Sequence, residues 1–427
     1  MDIKRHLSVY KGLPKDIYVL FISTIINKMG SFIVPLMTLI LTQKIGFSKY
    51  EAGLFTTIAI LSQAPFLVVG GSLVDRFGSK RIIVIFQSLG SILYLTCGFM
   101  KPTVAVAVLI VIASNLYALA TPAFNAVVPS ITPKPLMKNA YSLMYLGSNL
   151  GLAIGPMIGG ILFSSNYLNI LFILDAASTM ISTMMVFFFV RGKVKPNLSL
   201  AKNEIPDAKA DSSGSIFSFI IKNPVIVVFS LIMLVYYFCY VQWNFLLPLQ
   251  TVEVFGKGGV GVFSSLFSIN AITVIVLTPI LTSITEKTYP LKSMFVGGIL
   301  YFIAFGMFAV NRYISIFVAA IIIMTIGEIL VTINSNNYIA ERTPKQYLGR
   351  VNSLFFLFMG AGFATGPLVM GSVITFVNFQ YAWIMVAALM LFGSLSMYFL
   401  KKVEKKERVE SKSNVSSECE ERINRDA

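Results

Sequence analysis

The sequence is poor in charged residues, which make up 12% of its 427 positions, whereas 56% of the residues are hydrophobic. Soluble domains average about 25% charged residues, because even a large globule needs a polar coat over its core. This deficit excludes an ordinary water-soluble protein and indicates a chain whose solvent is largely lipid.

Histidine and cysteine are also scarce. His6 is the one histidine, and the three cysteines (Cys97, Cys239 and Cys419) show neither a pairing pattern nor metal-ligand spacing. We therefore expect no metal and no cofactor. A proton relay within the membrane would have to use carboxylates, since no apolar stretch contains an imidazole.

The apolar residues occur in twelve long runs, each close to the roughly 20 residues that a spanning helix needs. They predict an all-α membrane protein with twelve transmembrane helices in two six-helix bundles. The runs cover residues 16–41, 51–71, 82–100, 103–128, 139–163, 168–190, 224–249, 260–284, 291–310, 313–338, 350–377 and 381–400.

Basic residues give the chain a formal net charge of +15, and their placement explains it. Of the 34 Lys and Arg, 28 belong to the two tails, the even-numbered loops and the run ends that adjoin those loops (Lys292 and Arg350). Five belong to odd-numbered loops, and Lys28 lies in the interior of a span. Because Lys and Arg stay on the cytoplasmic side, we expect both termini to be cytoplasmic, in the plasma membrane of a bacterium. Nucleic-acid binding is not needed to explain the charge.

A polar stretch separates the sixth and seventh runs. It predicts an N-terminal six-helix bundle (1–190), a cytoplasmic linker (191–223), a C-terminal six-helix bundle (224–400) and a charged cytoplasmic tail (401–427). A shift of 211 residues brings the halves into one register, with Gly155-Pro156 on Gly366-Pro367. Parallel repeats of this kind place a substrate site near the membrane midplane, between the halves.

The loop between the second and third runs contains Gly71, Asp75, Arg76, Gly78 and Lys80. It resembles the loop signature of the major facilitator superfamily, G-x-L-x-D-R-x-G-R-[KR]-x. We expect Gly71 to let two helices approach closely. We expect Asp75 to accept hydrogen bonds from a neighbouring helix N-terminus or an Arg, which would latch one transport state. The alternative is an ordinary basic turn.

The fifth run contains Gly147, Gly151, Gly155 and Gly159, spaced every four residues, with Pro156 among them. This spacing predicts a smooth groove for close packing of a second helix, bent at the proline. The segment resembles the superfamily motif associated with antiporters. The alternative is close packing with no bearing on transport direction.

Three charged residues lie well inside the runs, Lys28, Asp175 and Glu328, whereas Glu51 and Glu253 lie nearer span ends. An ionisable group inside a membrane costs several kcal/mol and is a functional hypothesis by default. Glu328, alone or with Asp175, is predicted to take up and release a coupled proton. Lys28 could compete for that carboxylate or bind an anionic part of a substrate. Alternatively, Lys28 and a carboxylate form a structural pair that locks helices together.

Aromatic and amide residues are predicted to line the cavity. By helical spacing, Tyr236, Tyr240, Trp243 and Asn244 share one face of the seventh run, and Asn270 and Asn115 are further polar candidates. Such a pocket suits bulky amphipathic compounds, and its aromatic rings also suit cations. Each residue alone could equally be a packing residue or an interfacial anchor.

A glycine-rich segment at 256–261 lacks the Lys-Ser/Thr pair of a phosphate loop, so the sequence predicts no ATPase and no enzyme. The fifth run, the first run and Glu328 resemble the twelve-span bacterial drug:proton antiporters, in which the position of Lys28 is often Arg. The resemblance implies a monomer that exports hydrophobic or amphipathic small molecules by alternating access, coupled to protons. Alternatives are a proton-coupled importer, a uniporter or a lipid flippase of the same fold. A sensor or scaffold would need a large soluble module, which the sequence lacks.

Overall fold

A computed structural model describes residues 10–190, 224–285, 288–310, 313–343 and 345–425, and the predicted linker at 191–223 lies outside these residues. The described chain is helical, with a short π-helical segment at Ile40–Ile45 and 3₁₀ turns at Lys134–Leu136 and Gly256–Gly258. In chain order its α-helices are α1 (Lys15–Met29), α2 (Ile33–Leu39), α3 (Lys49–Phe77), α4 (Ser79–Phe99), α5 (Val104–Ile131), α6 (Met137–Ser164), α7 (Leu168–Phe189), α8 (Pro224–Tyr240), α9 (Gln242–Phe255), α10 (Gly259–Thr285), α11 (Pro290–Val310), α12 (Ile314–Arg342), α13 (Lys345–Phe376) and α14 (Phe379–Arg425).

Eleven continuous helical stretches of the described chain are long and apolar enough to cross a membrane. One of them, Pro224–Thr285, has 62 residues, about three times the length that a hydrocarbon core of about 30 Å requires. It reverses at Gly256, where φ is +56°, so that α9 and α10 pack against each other. The stretch therefore makes two crossings, which confirms the fold class of twelve transmembrane helices.

The outer surface of the bundle is apolar. Large hydrophobic side chains such as Phe99, Phe188 and Phe376 are exposed on many helices. Soluble monomers rarely expose contiguous apolar patches larger than a few hundred Å². The chain is accordingly a multi-pass membrane protein, whose lipid-facing surface is as apolar as its core.

We call the face where α1 begins the termini face, and the face that carries the turn between spans one and two the opposite face. Several helices run further toward the termini face than hydropathy predicts: α3 reaches Phe77, α12 reaches Arg342 and α14 reaches Arg425. Hydropathy detects only the part of a helix embedded in hydrocarbon, whereas backbone hydrogen bonds continue into the polar headgroup region.

The 211-residue register is visible in the architecture. The first span is interrupted between Met29 and Ile33, and the seventh at Val241. These breaks are equivalent, because Gly30 shifted by 211 is position 241. The groove of α6 packs on α1, and its counterpart in α13 packs on α8. The chain therefore forms two pseudo-symmetric bundles, while the exact domain boundaries stay a prediction.

The two halves touch mainly near the opposite face. The Thr57 hydroxyl donates to the Ala364 carbonyl at 2.6 Å, and Gly53 of α3 packs on Gly371 of α13. Further along α3, toward the termini face, residues 64–69 are exposed. Between α6 and α10 the contact is longer, since Gly160 packs on Ser264 near the opposite face and α10 stays beside α6 beyond that point. The halves therefore separate toward the termini face along α3 and α13.

Candidate functional site

The interruption of the first span is held by Asp175 of α7. The backbone N–H groups of Phe32 and Ile33 both donate to Asp175 Oδ2, at 3.0 and 3.2 Å. The first N–H groups of a helix lack internal partners and carry the positive end of its dipole, so a carboxylate stabilises them. Asp175 is 5% exposed and acts as the N-terminal cap of α2. Nothing in the sequence identified this partner.

Close contact between α1 and α7 occurs at the same interruption. Gly30 lies directly against the Ser178 side chain, so that no larger residue fits there. The Ser23 hydroxyl pairs with that of Ser182 at 2.7 Å, which ties the two helices together one to two turns away. Small residues at such contacts are typical of helix packing in lipid.

Lys28 lies in the last turn of α1, immediately before the interruption. It is electrostatically attracted to Asp175, but no hydrogen bond or ion pair within 4.0 Å joins its ammonium group to any residue that the structure describes. The structure therefore places Lys28 beside Asp175 without the tight pair that was one alternative, and Lys28 and Glu328 form no ion pair.

Lys28 and Asp175 both line one cavity of about 440 Å³, which we call the first-half cavity. It extends from the midplane, near Val34, toward the termini face, near Leu20 and Val128. Its polar lining residues are Thr24, Asn27, Lys28, Ser31, Gln87, Tyr94, Tyr117, Thr121, Asn125, Tyr141, Ser148, Asp175, Thr179 and Ser182. The cavity thus combines neutral polar groups with walls that are mostly apolar.

Glu328 of α12 lies in the second half. The Asn270 side-chain amide donates to Glu328 Oε2 at 2.8 Å and to the Thr325 hydroxyl at 2.9 Å. Tyr240 also interacts electrostatically with the Glu328 carboxylate. Subtracting 211 from Glu328 gives Tyr117, which lines the first-half cavity. Of the predicted cavity residues, Asn270 and Tyr240 are therefore the two that the structure brings to a charged group.

The residues predicted to share one face of the seventh run lie on both sides of a one-residue interruption at Val241. α8 ends at Tyr240 and α9 begins after Val241, but the backbone between them stays helical: the Val241 N–H donates to the Tyr237 carbonyl at 3.0 Å. The Tyr240 and Trp243 rings lie 6.3 Å apart across this point. The sequence offered no proline or glycine at this point, and the interruption became recognisable only through its equivalence to that of the first span. The face shared by Tyr236, Tyr240, Trp243 and Asn244 stays a prediction.

Tyr236 and Trp243 are packing residues. Tyr236 is 1% exposed and its hydroxyl donates to the Met294 carbonyl at 3.1 Å. Trp243 is buried and stacks on Phe267 with ring centroids 4.8 Å apart. Asn244 accepts a hydrogen bond from the first half through its backbone carbonyl. Tyr236 and Trp243 are therefore held by packing contacts in this structure, and the lining of a cavity by Asn244 stays a prediction.

Asn115 also has a packing role. It is buried in α5, and its side-chain oxygen accepts a hydrogen bond from the Ser62 hydroxyl of α3 at 3.0 Å. Amides that pair across helices replace water as the partner of a buried polar group. The bond stabilises the contact between α3 and α5.

The loop between the second and third spans departs from the expected latch. Asp75 is exposed, and no hydrogen bond or ion pair reaches it from the described part of the chain. Its position on the termini face, where α3 separates from α13, explains the absence of a partner. Gly71 has open space around it, whereas neighbouring Gly70 packs on the Leu119 backbone. In this state the close helix approach is therefore made by Gly70, and an approach at Gly71 stays a prediction for the state that is closed at the termini face.

The rest of that loop is anchored within the first half. Gly78 has a φ of +83°, which favours glycine at the turn between α3 and α4. The Lys80 ammonium donates to the Val190 carbonyl at 3.0 Å, while the Arg76 guanidinium lies 5.2 Å from the Phe77 ring. These contacts fix the turn at the end of α7.

The glycine groove of α6 is present, and its partner is α1. Gly147 packs on Phe21, Gly151 on Ile25 and Lys28, Gly155 on Met29 and Gly159 on Phe32. Pro156 lies inside α6, which continues to Ser164. The groove therefore fixes the backbone that carries Lys28, and its bearing on transport direction stays a prediction.

A charged group that sequence reasoning missed lies at the termini face. Glu404 is fully buried, accepts a hydrogen bond from Tyr338 at 3.0 Å and forms an ion pair with Arg342. Hydropathy predicts that it belongs to the charged tail, because hydropathy cannot show that α14 continues and that side chains of α12 reach Glu404. No feature of the sequence could have identified this pair.

The sequence matches the Major Facilitator Superfamily over residues 20–356 and 260–421. It is 25% identical to the MFS-type transporter YttB of Bacillus subtilis strain 168, over 95% of this chain and 100% of that protein. It is 21% identical to a Na⁺, Li⁺, K⁺/H⁺ antiporter of Planococcus maritimus, over 79% and 88% of the two chains. It is 25% identical to macrolide efflux protein A of Streptococcus pyogenes, over 61% and 59%.

Among solved structures, the fold resembles that of the nucleoside transporter NupG, with a TM-score of 0.72 at 14% identity, over 91% of this chain and 100% of that one. The likeness in fold agrees with the two six-helix bundles and their shared register. Together with the sequence match across nearly the whole chain, these findings show that the chain belongs to the Major Facilitator Superfamily.

Proposed function

We propose that this transporter exports hydrophobic or amphipathic small molecules in exchange for protons, by alternating access across a bacterial plasma membrane, with both termini cytoplasmic. The observation that carries the proposal is the environment of Glu328. Its carboxylate accepts a hydrogen bond from the neutral Asn270 amide and interacts with neutral Tyr240. It has no ion-pair partner within the part of the chain that the structure describes.

A carboxylate held by neutral donors can be protonated without breaking an ion pair, which suits a group that takes up and releases a proton. Asp175 suits this role less, because two backbone N–H groups of α2 already hold its charge. Of the two carboxylates considered from the sequence, we therefore assign the coupled proton to Glu328.

The relatives support export, and the composition of the first-half cavity supports an amphipathic substrate. One relative is named as a macrolide efflux protein and another as a cation/proton antiporter. The cavity combines aromatic rings with amides and hydroxyls, a lining that suits amphipathic compounds. The contacts near the opposite face would break, and the halves would close at the termini face, when the transporter changes state.

Efflux measurements in a pump-deficient bacterial host test this proposal. Cells that express the wild-type chain should show resistance and uncoupler-sensitive efflux for at least one compound of an amphipathic panel. Glu328→Gln should remove the dependence of efflux on the proton gradient. Glu51→Gln is the matched control, because Gln can keep the capping interaction that Glu51 makes with Ser48 at the start of α3.

Two results contradict the proposal. Unchanged proton dependence in Glu328→Gln would remove this residue from coupling. Accumulation of a solute inside the cells, with no resistance to any compound, would favour the alternative of an importer.

A further inference from the structure

The ammonium group of Lys28 faces the first-half cavity without a hydrogen-bond acceptor among the residues that the structure describes. A cation inside the membrane is costly unless an opposite charge or polar groups compensate it. The C-terminal end of α1 compensates part of this charge, since Lys28 lies in its last turn. All of its hydrogen-bond donors remain available to a ligand.

Asp175 accepts no hydrogen bond from the Lys28 ammonium. Its Oδ2 atom accepts from both Phe32 and Ile33, at the positive end of the α2 dipole. The remaining attraction between Asp175 and Lys28 acts over more than hydrogen-bond distance. The Asp175 carboxylate is therefore already bonded by the backbone of α2, whereas the Lys28 ammonium has no such bond among the residues that the structure describes.

The backbone of Lys28 is also rigidly placed. Gly151 lies directly against it and Gly155 against the adjacent Met29, so α6 leaves α1 little room to move. Asn27, Ser31 and Ser148 line the same cavity and can donate further hydrogen bonds. A fixed cation surrounded by neutral donors is a pre-organised site for an anionic group.

We propose that the first-half cavity binds the carboxylate of an amphipathic organic anion on Lys28 Nζ, with the aromatic and apolar walls holding the rest of the molecule. As a statement about the transported substrate, this rests on the proposed function. As a statement about binding, it does not, and the two can be tested separately.

The test is equilibrium binding to the full chain in lipid nanodiscs, followed by probe fluorescence at neutral pH. Dansylglycine carries a carboxylate, and dansylglycinamide is its neutral counterpart. The wild-type protein should bind the carboxylate about tenfold more tightly than the amide, as expected for a charge-assisted contact. Lys28→Gln should remove this preference while leaving amide binding unchanged, and Lys28→Arg should retain it.

Lys44→Gln is the matched control, because it removes a second lysine of the same span, at the opposite face, where Lys44 bonds to Asn166. It should keep the preference. Equal binding of the two probes by the wild type, no binding of either, or a preference that survives Lys28→Gln would overturn the proposal. A preserved preference in a protein that shows no efflux would instead count against the proposed function alone.

Discussion

Lys49 of α3 and Glu253 of α9 form an ion pair between the two halves at the opposite face, with 3.3 Å between Nζ and Oε2. The same ammonium lies 4.5 Å from the Phe379 ring. The side chains are 40% and 56% exposed, so the pair contributes at most about 1 kcal/mol. It nevertheless joins two elements that must separate if the opposite face opens.

Breaking this pair should shift the balance between states. In Lys49→Glu the two carboxylates would repel each other, and the population open at the opposite face should rise by up to about fivefold. Double electron–electron resonance between spin labels at the positions of Lys44 and Lys257 would measure this change in population. The charge-swapped variant Lys49→Glu/Glu253→Lys should return the distances toward those of the wild type. If it does not, the ion pair has no part in closing this face.

Gly151 should tolerate no side chain. A methyl group there would lie 2.6 Å from Lys28 Cβ and 2.7 Å from the Ile25 carbonyl oxygen, so Gly151→Ala should destabilise the protein by about 1–3 kcal/mol through overpacking. Gly71→Ala is the control, since nothing lies near that position. Thermal unfolding in detergent measures both. Equal melting temperatures for the two variants would contradict the observed packing of α6 on α1.

Asp175 should be replaceable by an amide but not by alanine. Asn can still accept the bonds from Phe32 and Ile33, whereas Asp175→Ala loses the cap of α2 and should cost about 1–2 kcal/mol. We expect Asp175→Asn to keep most of its thermal stability and its proton-coupled efflux. Loss of proton coupling in a well-folded Asp175→Asn protein would instead make Asp175 a proton carrier.

Replacing Glu404 and Arg342 together should destabilise the protein less than replacing Glu404 alone. Removing Glu404 leaves the Arg342 charge without its partner in a site where the Arg342 side chain is 25% exposed, which should cost about 1–3 kcal/mol. Apolar replacement of both partners of a buried pair is often close to neutral. We therefore expect Glu404→Met to lower the melting temperature more than Glu404→Met/Arg342→Met does. Both variants lose the bond from the Tyr338 hydroxyl to Glu404, so this loss does not affect the comparison. Additive losses would show that the two residues do not act as a pair.

The sequence by itself determined the twelve spans, the separation into related halves and the groove of α6. Each depends on local composition or on spacing along one helix, because a segment enters the membrane according to its own hydropathy. The 211-residue register also linked Gly30 to Val241, where the structure interrupts both spans. The interruptions themselves were not predicted.

Only the tertiary structure decided which groups meet. It made Asp175 the cap of α2, brought Asn270 and Tyr240 to Glu328, and buried Glu404 beside Arg342. It also showed that Gly70, and not Gly71, is the close contact of α3. In lipid every helix is apolar on most of its surface, so hydropathy does not say which helix packs on which. That choice depends on shape and on pairs of polar groups far apart in the chain.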